Sequence, residues 1–135
     1  MEPSTPEDWV EVAKERSQDA RVLRDGNRSL GAVYMAGYSI ECSLKAYLQR
    51  QGIGQPPRGT EGHNLRGLWS AASFRLSDLN DSGGNQTYFL NSWDTRLRYQ
   101  TALEPSLSAD DLMRGAQKLA GLIQNWLRSL VRRSR

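Results

Sequence analysis

One cysteine and one histidine in 135 residues close off several classes of chemistry. Cys42 has no second thiol for an internal disulfide, so nothing in the sequence calls for an oxidising compartment. With His63 the sole imidazole, no Cys/His metal spacing exists. A glycine-rich phosphate loop and a Ser/His/Asp arrangement are missing as well, and Asp78, Asp81, Asp110 and Asp111 read as loop and capping residues. No metal and no cofactor are expected. Long uncharged apolar runs are also lacking: the most apolar stretch is interrupted by Glu41 and Lys45, which argues against a membrane span and a membrane partner. Met1 to Asp8 is acidic and contains proline, where a secretory leader would be basic and then apolar, so the expected location is the cytoplasm. Strand-period alternation and internal repeats are absent.

What is present is helical. The length suits one domain over residues 1–135, with flexible polar loops expected near 51–62 and 77–86. Thr5, Pro6, Glu7 and Asp8 form a helix start, and Asp25-Gly26-Asn27 predicts a left-handed exit at the glycine. A second helix, about 28–50, carries Leu30, Val33, Gly37, Ile40, Leu44 and Leu48 on one stripe. Tyr34, Met35, Tyr38, Cys42 and Tyr47 widen that stripe almost all the way round. A helix of this kind belongs inside a bundle or against a second subunit, and Gly37 in its interior points to a close helix approach. His63-Asn64 can cap a third helix bearing Leu65, Leu68 and Trp69. The segment Thr87 to Tyr99 reads as mostly helical. A last helix begins at Ser108 with Asp111 three residues on, and runs through Leu112, Leu119, Ile123 and Trp126 to a cluster of arginines. The expected class is therefore all-α, an up-and-down bundle of four to five helices.

Three segments in this order resemble the HEPN pattern (higher eukaryotes and prokaryotes nucleotide-binding). They are Tyr34-x-x-Gly37-Tyr38-x-x-Glu41-Cys42-x-Leu44-Lys45-Ala46, then Gly62-His63-Asn64-Leu65-x-x-Leu68, then Leu90-x-x-Trp93-x-x-x-x-Arg98-Tyr99 followed by the capped final helix. The resemblance covers about residues 9 to 130. It implies a helical bundle that forms a homodimer and works in a toxin–antitoxin or antiviral defence system, often beside a nucleotidyltransferase or antitoxin partner. Many such proteins are metal-independent ribonucleases with an arginine and a histidine four to six positions apart; others bind RNA or nucleotide, or act as partners.

Several residues are candidates for that work. Arg58 and His63 meet the ribonuclease spacing and would supply a phosphorane-stabilising cation and a base of near-neutral pKa, but Arg58 falls in a Pro/Gly loop rather than on a helix, and the leading reading of His63 is a helix-capping residue. Fifteen of the eighteen basic residues are arginine, a bias that suits phosphate partners or reflects base composition. Arg96 and Arg98, beside Trp93 and Tyr99, combine cations with aromatic surface. Two residues apart on a helix, the two arginines should point in different directions, one inward and one to solvent. Arg128, Arg132, Arg133 and Arg135 can touch phosphates or simply balance a helix end. Glu41 either pairs with Lys45 at a solvated edge or forms a buried pair with Arg96 or Arg98. Three functions follow: an accessory or partner protein binding RNA, nucleotide or protein; a metal-independent endoribonuclease toxin; or a structural helical adaptor.

Overall fold

A computed structural model describes residues 2–53 and 64–133. Among these residues five α-helices appear in order: α1 (Pro6–Asp25), α2 (Ser29–Arg50), α3 (Leu65–Ala71), α4 (Asn85–Asn91) and α5 (Ala109–Arg133). Short 3-10 turns occupy Leu76–Asp78 and Thr95–Tyr99, and no strand occurs among the described residues. The segment 87–99, expected to be mostly helical, is the end of α4 plus a 3-10 turn.

Each start is set locally. Thr5 Oγ1 accepts from the Asp8 N–H at 3.0 Å, and the Asp8 carboxylate accepts from the Thr5 N–H at 3.2 Å, a reciprocal cap on α1. The exit from α1 differs from the expected one: Gly26 has φ −86°, and the left-handed residue is Asn27 at φ 60°. Asparagine tolerates that region better than most residues. Asn64 Oδ1 accepts from the Gly67 N–H at 3.1 Å and caps α3. Ser108 Oγ accepts from the Asp111 N–H at 3.2 Å at the start of α5. The segment expected as a flexible loop before α4 is organised by Asp81, whose carboxylate accepts from the Gln86 N–H at 3.1 Å and the Thr87 N–H at 2.7 Å.

The core is assembled around α2. Thirteen of its 22 residues are buried, on most faces of the helix, because α1 packs on one side, α5 on another, and α3 and the 95–99 turn close the rest. The buried set includes Ile40, Leu44 and Leu48, with Trp69, Phe89, Leu112, Leu119 and Ile123 from other elements. Among its polar members, Ser39 and Ser43 donate to carbonyls in the preceding turn, and Ser43 accepts from Gln124 on α5 at 3.0 Å. The apolar width of α2 is therefore covered within one chain, which removes that width as a reason to require a second subunit.

α1 and α2 form an antiparallel hairpin. Arg24, at the end of α1, pairs with Asp110, at the start of α5, at 2.5 Å, while Ser43 meets Gln124 farther along. α2 and α5 therefore run in the same sense, with their N-termini at one end of the bundle and their C-termini at the other. Among the described residues, no helix is long and apolar enough to cross a membrane.

Candidate functional site

The N-terminal end of α2 opens onto a groove of about 760 Å³. One wall is the α1–α2 turn and the first turns of α2, with Leu23, Asn27, Arg28, Gly31 and Tyr34; the other is the chain from Leu97 to Leu103. Arg28 stands at the N-cap position, no side chain caps the helix, and its first turn contains no acidic residue. Free N–H groups at a helix start, with the positive end of its dipole, favour an anion.

The opposite wall is anchored by Trp93. Its indole stacks on Tyr34 with centroids 6.0 Å apart and meets Tyr38 edge-on at 5.3 Å, and Nε1–H donates to the Tyr34 carbonyl at 3.2 Å. The hydroxyls of Tyr34 and Tyr38 are 2.8 Å apart. Burial pushes the Tyr38 hydroxyl pKa up, and the hydrogen bond with Tyr34 adds to the shift. Arg98 follows on the 3-10 turn. The neighbouring Tyr99 and Tyr34 side chains favour its charged form, and its guanidinium carbon lies 4.9 Å from the centroid of the Tyr99 ring. Tyr99 itself is 75% exposed beside the groove. Arg98 lines the groove, and the exposed Tyr99 follows it in the chain without lining the groove itself.

The sequence-derived candidates separate as follows. Trp93 is buried and forms the support of the wall, so it offers no open face for stacking. Arg96 is turned away on Asp94 at 2.7 Å and is largely exposed, whereas Arg98 reaches the groove. Lys45 pairs with Glu41 at 3.2 Å, and with side-chain exposures of 12% and 4% this is a buried pair rather than a solvated one. The Lys45 ammonium also sits 5.1 Å from the Trp9 ring centroid. Arg128 bonds Asn125 and Arg132 bonds Ser129, on the exposed end of α5 with Arg133. Arg58, His63 and Arg135 lie outside the described residues. Among the described residues, no group of three or more His, Cys, Asp or Glu is placed to hold a metal ion.

The order of the helices and the position of the three segments noted in the sequence agree with a family match. The family model of the HEPN domain matches residues 6–130. The chain belongs to the HEPN family. The crystal structure of an archaeal HEPN homologue has the same fold, with a TM-score of 0.61 at 19% identity over 93% of this chain and 99% of that one. No curated protein matches the sequence.

In this HEPN chain the groove also uses residues that the sequence reading passed over. Arg28 is isolated among non-basic neighbours, and Tyr34 looks like one more core aromatic. The available signal was the lack of an Ser, Thr, Asp or Asn cap and of any acid where α2 begins.

Proposed function

We propose that this HEPN protein binds single-stranded RNA in the groove at the N-terminus of α2, as an accessory or partner protein of a toxin–antitoxin or defence system. The observation that carries the reading is the uncapped start of α2 facing Arg28 and Arg98, with Tyr99 exposed next to them. Arginine and helix N–H groups take phosphate oxygens, and a tyrosine face accepts a base of any identity. The site therefore favours an RNA single strand over a duplex, whose bases are already stacked. The system, the homodimer and a nucleotidyltransferase or antitoxin partner enter on the family resemblance. The groove itself is built from one chain.

Fluorescence anisotropy with a short labelled single-stranded RNA tests this. Affinity should fall with salt, and Arg28→Ala or Arg98→Ala should each weaken binding and reduce the salt slope by about 0.7. Tyr99→Ala should cost about 1–3 kcal/mol with little change in that slope. Salt-insensitive binding, or variants that bind like the parent, would leave the structural adaptor as the better reading.

A further inference from the structure

Two surface stripes on this chain mirror one another. On α5 the outward line is Lys118, Gly121, Asn125, Arg128 and Arg132, at intervals of three, four, three and four residues. On α1 it is Glu11, Glu15, Gln18, Val22 and Asp25, at intervals of four, three, four and three. Apart from the half-buried Gly121, all of these residues are exposed. Intervals of three and four keep each set on one face, the geometry of a seam between two helices lying side by side. Both faces point away from the core: the buried residues of α1 are Ala13 and Ala20, and those of α5 include Ala116, Leu119 and Ile123.

Contacts within the chain explain neither stripe. From Leu112 to Arg133 α5 carries no acidic residue. Among the described residues Lys118, Arg128 and Arg132 form no ion pair, and Arg128 and Arg132 bond the neutral Asn125 and Ser129 side chains. Glu15 and Asp25 form none there either, and Glu11 meets Lys14 at 3.8 Å with both side chains exposed. Val22 is 70% exposed, an apolar side chain left in water. A Cβ built on Gly121 meets no atom within 4 Å, so packing inside the chain does not require a glycine there, where it weakens the helix.

Laid antiparallel, the stripes match position by position. Glu11 meets Arg132, Glu15 meets Arg128 and Asp25 meets Lys118, three pairs of opposite charge. Gln18 meets Asn125, amide to amide, and Val22 falls in the notch over Gly121. A phosphate chain can use the cations, but it has no use for the notch or for the acids and valine that mirror it. Since both faces point outward, the match is made between two copies.

We propose that α1 of one copy docks antiparallel on α5 of the next, with Val22 seated over Gly121. The contact joins two different faces and is therefore heterologous, so each pair leaves one α1 and one α5 open to further copies. This sets it apart from a two-fold homodimer. A single helix seam is small, so the association is weak, and salt screens its exposed ion pairs. The inference does not depend on RNA binding in the groove.

Sedimentation equilibrium of the full chain, from low to high micromolar concentration, tests the contact. At low salt the average mass should climb past that of a dimer as concentration rises, and it should fall back at high salt. Arg128→Glu or Glu15→Arg should each weaken association about fivefold or more. The chain carrying both should regain most of the loss, because the charges are exchanged across the contact. Gly121→Leu should stop growth past the dimer while leaving the urea midpoint equal or higher, since its new side chain has open space in the single chain. The proposal is overturned if the mass never passes that of a dimer, if Gly121→Leu associates as the parent does, or if the exchanged-charge chain gains nothing over the single variants. Loss of single-stranded RNA affinity in Arg128→Glu with self-association unchanged would give the α5 stripe to RNA and overturn it as well.

Discussion

The indole of Trp93 occupies the space where a side chain at Gly37 would begin: a Cβ built there meets the ring well inside 3.0 Å. This contact joins the middle of α2 to the segment that carries Arg98 and Tyr99. Alanine at position 37 should therefore destabilise the protein by about 2 kcal/mol despite its better helix propensity. Displacing Trp93 should also weaken RNA binding in the groove. At Gly31 the same test meets only the flexible Leu23 side chain at 3.4 Å, so Gly31→Ala should be neutral or stabilising by up to about 1 kcal/mol. Urea unfolding of both variants decides the comparison.

Glu41 and Lys45 pair within the core at 3.2 Å. Breaking such a pair from either side leaves a buried charge. Glu41→Gln and Lys45→Met should each cost about 3 kcal/mol, and the double substitution should recover a large part of the loss. A double-mutant cycle measured by chemical denaturation reads the coupling. Two small, additive losses would place the pair energetically at the surface.

How far the sequence leads depends on how local the cause is. Thr5, Asp8, Ser108 and Asp111 are neighbours in the chain, and their caps stand as the spacing suggests. The apolar breadth of α2 is equally plain, but periodicity says that a face is apolar, never what covers it. The cover is α1, α5, α3 and the Trp93–Tyr99 segment, all distant in sequence. The same limit explains Trp93: an aromatic next to arginines looks like a stacking platform until Gly37 is seen to receive it. Arg96 and Arg98 differ for a local reason visible only in part, since Asp94 lies two residues before Arg96 and takes it. Arg28 owes its place to the fold of the α1–α2 turn, where Asn27 rather than Gly26 takes the left-handed conformation.

Asp81 gives the fold an acid-sensitive cap on α4. Burial pushes its carboxyl up, but hydrogen bonds from the Thr87 hydroxyl and the Thr87 and Gln86 N–H groups outweigh this and hold it below its ordinary 3.8. A carboxylate with a depressed folded-state pKa contributes stability above its unfolded value and loses it as pH falls through the folded one. Asp81→Asn should therefore cost about 1 kcal/mol at neutral pH, and the difference from the parent should shrink as pH falls below about 4. Urea midpoints across that range provide the measurement, and a difference that stays constant with pH would assign the loss to something other than the carboxylate.

His63 separates binding from catalysis. The groove proposed for RNA is formed by the α1–α2 turn, the first turns of α2 and the 97–103 segment, and every contact argued for it is made without residues 54–63. His63→Ala should then leave the affinity for single-stranded RNA and its salt slope unchanged, while Arg98→Ala lowers both. Incubating the parent protein with the same RNA in the presence of a chelator should return the RNA intact, because a binding groove without a base near neutral pKa has nothing to activate a 2′-hydroxyl. Cleavage that survives the chelator and disappears with His63→Ala would instead establish the endoribonuclease reading, with Arg58 the next residue to replace. In that case Arg98→Ala should raise KM with little effect on kcat, since the groove would hold substrate without touching the reacting atoms.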